Sequence, residues 1–419
     1  MNYYKTMKLL LCKTVRIIRR QWLFLIVCLP QSLLATGLWG ELETVVQADN
    51  HYGEDEAFVE QWGELSYNDA KHDFESHLAF ALRTGIQGLE AQLHQAYLRK
   101  SWHNSPYTMT AGRFERADLT GFYYLDGVVL QKKTALANIT VYAGDNRRIE
   151  YFESESADTL MGVDTKFLLP SLGKTTLKLG IQHIAADDAV NRFNFGMTGI
   201  NHTAKLNKIT VATEGSLHLD KHKIDHFLVN ISSDLTWRKR SGRFGASYET
   251  YNPLKPLISF RERFYRLYAR GRQSGLSGYA HYKAAANRQW QIEGRKLWRD
   301  FGDSGYAGAI SVTQSNTWES RLDWFNVGDE HAVNWFVSTE KPLTSRWLGT
   351  FSGVVQWKQT ELMEKNWATG LAMQLKHKLK RDLFVSFFAE HIWHTHQDAE
   401  YQIGIRLHKT FYGKGNSRL

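Results

Sequence analysis

The feature that most restricts this chain is an alternation of apolar and polar side chains with period two, in runs of about 9–14 residues, from near residue 42 almost to the end. Over 209–219 the odd positions hold Ile209, Val211, Thr213, Gly215, Leu217 and Leu219, against Thr210, Ala212, Glu214, Ser216 and His218. Trp347, Phe351, Val355 and Trp357 alternate with Thr350, Ser352, Gln356 and Lys358, and Leu371, Met373 and Leu375 with Gln374 and Lys376. Such runs are longer than the 5 or 6 residues usual in soluble sheets and match the roughly 9–11 needed to cross a bilayer obliquely. The expected fold class is therefore all-β, a closed antiparallel transmembrane barrel. Closure follows from solvent, because an open edge in hydrocarbon leaves peptide groups unpaired at several kcal/mol each. The alternating segments number 22, within a range of about 18–22 set by how easily neighbouring strands are split or merged. Proline placement agrees: Pro106, Pro170, Pro253, Pro256 and Pro342 fall between segments or at their ends, where no ladder donor is lost.

One barrel domain is expected over 38–419, preceded by a signal peptide over 1–37. The leader has a basic start (Lys5, Lys8, Lys13, Arg16, Arg19, Arg20), an apolar run from Trp22 to Leu34, and the small residues Ala35 and Gly37. Removing those six from the 52 basic residues leaves 46 against 43 acidic, so the net charge of +9 mostly reports the leader. Nucleic acid is thereby excluded as an expected partner. Aromatic residues at 13% and charged residues at 23% exclude a mainly disordered chain. Both cysteines, Cys12 and Cys28, lie in the leader, so the barrel is expected to hold no disulfide, thiolate metal site or covalent haem. No cofactor is expected.

Ala111-Gly112-Arg113-Phe114-Glu115, followed by Tyr124-Leu125-Asp126-Gly127-Val128-Val129-Leu130, is the most distinctive local sequence. It resembles, over about 20 residues, the strand-loop-strand of porin-like outer-membrane barrels, including the alginate-export type. Gly112 permits close approach of another backbone, and Asp126-Gly127 a bulge or bend. Arg113 and Asp126 are then lumen candidates, the alternative being a structural pairing of Arg113 with Asp118 or Asp126. The terminal run Gln402 to Tyr412 is similar to the closing strand of bacterial outer-membrane proteins, with Gly404, Leu407 and Phe411 as its marks. Lys409 at an outward position and the tail 413–419 depart from that pattern. The resemblance implies a last strand ending in the periplasm, with 395–398, 359–365, 252–273 and 116–121 outside the cell and the turns 170–174 and 342–345 in the periplasm.

In the longest connection, Phe260, Phe264, Leu267 and Tyr268 recur at helical spacing among Arg261, Arg263, Arg266, Arg270 and Arg272. Two readings stand: a loop folded into the lumen as an electropositive constriction, or an arginine-rich rim on the phosphates of surface lipid. His394, His396 and Asp398 share one face of an extended chain and are weak metal candidates. No phosphate-binding glycine loop, nucleophile elbow or His-Glu-x-x-His helix occurs.

The function expected is an outer-membrane channel for polar solutes rather than an enzyme. The alternatives are a barrel sheathing a partner, as in a porin-cytochrome conduit or secretion assembly, and a secreted all-β protein or barrel hydrolase. Expected partners are outer-membrane lipid, lipopolysaccharide, the barrel-assembly machinery and, for the sheath, a periplasmic or lumen-filling protein.

Overall fold

The computed structural model describes residues 37–412, apart from 51–55, 86–87, 119–120, 151–152, 173, 186–189, 205–206, 221, 238–239, 252–272, 286, 300–303, 316, 329, 361–362 and 396–397. The arginine-rich segment and the tail after 412 therefore lie outside the described residues.

Each alternating run forms a strand. The first are β1 (Leu38–Asp49), β2 (Glu56–Asp69), β3 (Phe74–Gly85), β4 (Gly88–Ser101), β5 (Tyr107–Asp118), β6 (Gly121–Lys133), β7 (Ala137–Glu150) and β8 (Glu153–Leu169). Next come β9 (Thr175–Ala185), β10 (Val190–Ala204), β11 (Asn207–His218), β12 (Lys223–Trp237), β13 (Arg240–Tyr251), β14 (Gln273–Ala285) and β15 (Arg288–Arg299). The circuit ends with β16 (Gly305–Gln314), β17 (Trp318–Val327), β18 (Glu330–Pro342), β19 (Trp347–Thr360), β20 (Met363–Lys380), β21 (Leu383–His394) and β22 (Glu400–Tyr412).

Every strand pairs antiparallel with its sequence neighbours, and β22 pairs with β1, from Trp39 opposite Tyr412 to Asp49 opposite Gln402. The sheet is a closed, up-and-down barrel of 22 strands. Closure is shaped by side chains the sequence singled out. Gly404 stands opposite Gln47, Leu407 opposite Thr44 and Phe411 opposite Gly40. A Cβ at Gly40 would lie 2.7 Å from the Phe411 ring, so the missing side chain makes room for the aromatic end of the last strand. Lys409, the departure from pattern, ion-pairs with Asp382 in the β20–β21 turn.

The two faces separate as the alternation requires. Ile403, Ile405, Leu371, Met373, Phe351 and Trp335 are exposed on the convex side. Aromatic side chains rim this apolar band on both edges. Tyr107, Tyr282, Trp290, Trp318 and Trp347 stand near the rim that carries both termini, and Trp298, Tyr306, Trp357, Trp367 and Trp393 toward the other. Trp347 and Trp357 are ten residues apart on β19, about 34 Å along the strand and about 25 Å in height at a tilt near 40°. That height is the apolar band of an outer-membrane barrel. The rim bearing the termini has only short turns; the one long connection, 252–272, is at the other.

Candidate functional site: the charged lumen wall

The concave face carries the charge, and it is divided by sign. On β1, β2 and β3 the inward positions include Glu41, Glu43, Glu60, Glu64 and Glu75. Arginines tie part of this acidic sector down: Arg406 to Glu43 at 3.2 Å, Arg83 to Glu56 at 3.1 Å and Arg99 to Glu75 at 3.1 Å. Tyr97 donates to Glu75 at 2.9 Å, and Ser66 is hydrogen-bonded to His77 at 2.7 Å.

The wall from β4 to β9 is basic. It bounds a cavity of about 670 Å³ whose cations are Arg99, Arg116, Lys133, Lys166 and Lys178, against the acids Glu115 and Asp164. Arg116 is committed: it ion-pairs with Asp164, donates to the Tyr123 hydroxyl at 2.9 Å and lies 3.6 Å over the Tyr142 ring. Beneath it Phe114, Tyr123, Leu125, Tyr142, Leu160 and Ile184 form a buried cluster on the inner wall, with Leu125 and Leu160 fully inaccessible. That packing fixes the guanidinium against an apolar floor, where its charge is poorly screened. Among the described residues, Lys133, Lys166 and Lys178 have no ion-pair partner, and all three face the cavity. Sequence reasoning did not single out these lysines. Their signal was parity: Lys133 alternates with Leu130 and Val128, and Lys178 with Leu177 and Leu179.

The motif residues Arg113 and Asp126 lie elsewhere, which corrects the expectation that they face the lumen. Arg113 shares its face with Tyr107, Met109 and Ala111, and Asp126 shares its face with Val128 and Leu130, which are 43% and 44% exposed. Both therefore project from the outer wall. Arg113 clasps Asp126 with two bonds, of 2.6 and 2.7 Å, and Arg147 holds the same carboxylate from β7. Two guanidinium groups thus share one carboxylate, a partial neutralisation on the outer face, which is the structural pairing of the two readings given above. Nor does Asp126-Gly127 bend the chain. Gly112, Gly127 and Gly144 stand opposite one another across β5, β6 and β7, in mid-strand. A Cβ on any of them would collide with a neighbouring backbone carbonyl, so the row buys a close approach of three strands.

Of the metal candidates, His394 faces inward near Glu400, its Nε2 3.7 Å from that carboxylate. Asp398 is exposed, and His396 lies outside the described residues. Among the described residues no group of three or more His, Cys, Asp or Glu could hold a metal ion. Arg261, Arg263, Arg266 and Arg270 fall, with Arg272, in the stretch the structure does not describe.

No protein-family model matches the chain, and no curated protein matches it. Solved structures do. The siderophore receptor PirA from Pseudomonas aeruginosa is 10% identical with a TM-score of 0.59, over 90% of this chain and 80% of that one. OccD3 (OpdP) of the same organism is 10% identical, with a TM-score of 0.42 over 90% and 92% of the two chains. OccK2 (OpdF), solved with glucuronate, is 8% identical, with a TM-score of 0.44 over 90% and 97%. At these identities the likeness to PirA is one of fold. With its closed antiparallel wall, outward apolar band between aromatic rims and polar interior, the chain has the fold of a 22-stranded β-barrel of the bacterial outer membrane.

Proposed function

We propose that the barrel is a channel for small polar solutes that favours anions, with the rim bearing the termini in the periplasm. The observation that carries this reading is the row of uncommitted ammonium groups, Lys133, Lys166 and Lys178, on the cavity wall opposite in sign to the acidic sector of β1 to β3. Fixed charge beside a passage sets the local potential and so the ion that accumulates there. Arg99 and Arg116 are held by Glu75 and Asp164, so the free positive charge at the cavity is that of the lysines. Inward side chains such as Gln182, Asn194 and His218 are buried within this single chain, which favours a restricted passage over a wide sheath awaiting a partner.

The test is block of single-channel current by citrate, with a neutral sugar of similar size as reference. Citrate is expected to interrupt current more strongly than the sugar, and K133Q, K166Q and K178Q together to remove the difference. Equal block by both solutes in the unaltered barrel would reject the anion-favouring channel.

A further inference from the structure

The wall is not zipped evenly. β4 and β5 pair only from Ser101 opposite Thr108 to Ala96 opposite Arg113. Beyond that point Gly88–Gln95 of β4 and Phe114–Asp118 of β5 remain extended, each paired with its other neighbour but not with one another. Among the described strands no other seam leaves two extended edges apart over so long a stretch: β6 and β7 leave three residues each, and β5 and β6 pair from Tyr107 opposite Lys132 to Asp118 opposite Gly121. Three local devices mark the stopping point. β4 bulges where its pairing with β3 shifts between Ala79 and Phe80, opposite Gln95 and Leu93. Gly112 takes φ +119, closed to other side chains, against the Ala96 carbonyl. Arg113 then donates at 2.7 Å to the carbonyl of Leu93, closing by a side chain the place where the ladder ends.

The height of the split matters. Arg113 and Ala117 lie six and ten residues above the rim aromatic Tyr107 on β5, about 15 and 25 Å in height by the same geometry. The outward side chains of the unpaired stretch of β4 are Leu89, Ala91 and Leu93, with Leu89 71% exposed. The free edges thus stand in the half of the apolar band farther from the termini. Backbone left unpaired at that depth is tolerated where it borders a water-filled cavity. Phe114, Glu115, Arg116 and Ala117, the stretch of β5 that pairs with β6 but not with β4, form part of the wall of the basic cavity.

Taking the anion-favouring lumen as given, we propose that the split between β4 and β5 is a lateral portal by which a single-chain anionic amphiphile passes between the lumen cavity and the outer leaflet. The tail passes along Leu89 and Leu93 at the split, and the head group is drawn down the cavity to Lys133, Lys166 and Lys178, which share one cross-strand row beside the rim bearing the termini. Arg113, clipped to Leu93 and Asp126, is the lower sill of the opening.

The described barrel contains no cysteine, so single labels report cleanly. A bimane on Thr110→Cys, facing the cavity, is compared in vesicles with one on Ser311→Cys, facing inward on β16 far from the split. Dibromostearate in unbrominated lipid is expected to quench the first several-fold more than the second. The disulfide of L93C with E115C should bring the two together, and reduction should restore the difference. R113Q, which removes the sill without a cross-link, should raise quenching at Thr110→Cys. Equal quenching at both labels, or quenching indifferent to the disulfide, would overturn the portal and leave the edge as a pairing site for a strand of another protein. Equally strong quenching by dibromophosphatidylcholine would overturn the anionic cargo. Because citrate block is measured separately, loss of the portal and loss of the channel reading are distinguishable.

Discussion

The wall at β18, β19 and β20 and the wall at β4 and β5 obey one set of rules and end differently. In the first, pairing runs the whole strand, from Pro342 opposite Leu348 to His331 opposite Gln359, and from Trp347 opposite His377 to Thr360 opposite Met363. Its outward face is apolar through the middle of the strands, and Val333, Trp335, Val355, Trp357 and Trp367 line a shallow exterior groove of about 430 Å³. In the second, β5 and β6 keep apolar side chains outward only up to Ala111 and Val128, and the ion cluster of Arg113, Asp126 and Arg147 takes over on those strands and β7 as the β4–β5 ladder stops. Where lipid meets an unbroken apolar face, nothing competes with backbone pairing. Where charges occupy that face, a guanidinium bonded to a carbonyl substitutes for the missing ladder.

The comparison breaks most readily at the zipped wall. Replacing Phe351 or Met373, midway between the aromatic rims, with Arg puts a charge on the lipid face at an expected cost of about 2–4 kcal/mol, whereas Arg at Ser352 or Gln374 faces the lumen and should be tolerated. Heat-modifiable migration on a gel reads assembly, and equal loss at both pairs would reverse the faces assigned here. Next in size is the closing seam. Phe411→Ala leaves the space over Gly40 empty and should cost about 2–4 kcal/mol, seen as a lower unfolding temperature. At the split, Gly112→Ala forces a side chain into a left-handed backbone against the Ala96 carbonyl, at about 1–3 kcal/mol. The same change at Gly294, where a Cβ meets nothing within 4 Å, should be close to silent. Smallest is the rim. The Lys409 ammonium holds the Asp382 carboxyl below its ordinary range, so the pair stabilises at neutral pH and the contribution is lost as pH falls through that lowered value. Lys409→Met should therefore lower stability slightly at neutral pH and leave the acid end unchanged.

Strand number was legible because the alternation has no other physical source, and the limits nearly so: the alternating run 209–219 differs from β11 by two residues at its start and one at its end. Leu407 and Phe411 were legible for the same reason, since an aromatic end to an alternating strand needs a partner with room, which Gly40 supplies. Arg113 and Asp126 misled because charge ordinarily marks the lumen face, although their parity with Met109, Ala111, Val128 and Leu130 already placed them outside. The split left one trace, a parity slip in β4 from Leu89, Ala91 and Leu93 to Ala96 and Leu98, which is the bulge. That the ladder then stops depends on what β5 offers across the gap, a contact between strands that no local pattern encodes. The three free lysines were missed because single lysines at inward parity are common, and only the strand register, which sets Lys166 opposite Lys178 and joins Lys133 to them across Asn138, gathers them at one cavity.

The central claim is that the lumen is divided by sign, with the uncommitted charge on the basic side. Its most direct test is the reversal potential of the purified barrel in a planar bilayer under a KCl gradient, for the unaltered protein and for the K133Q, K166Q and K178Q variant. An anion-favouring potential that moves toward zero in the variant is the predicted result. A cation-favouring potential, or one that the three substitutions leave unchanged, would contradict it.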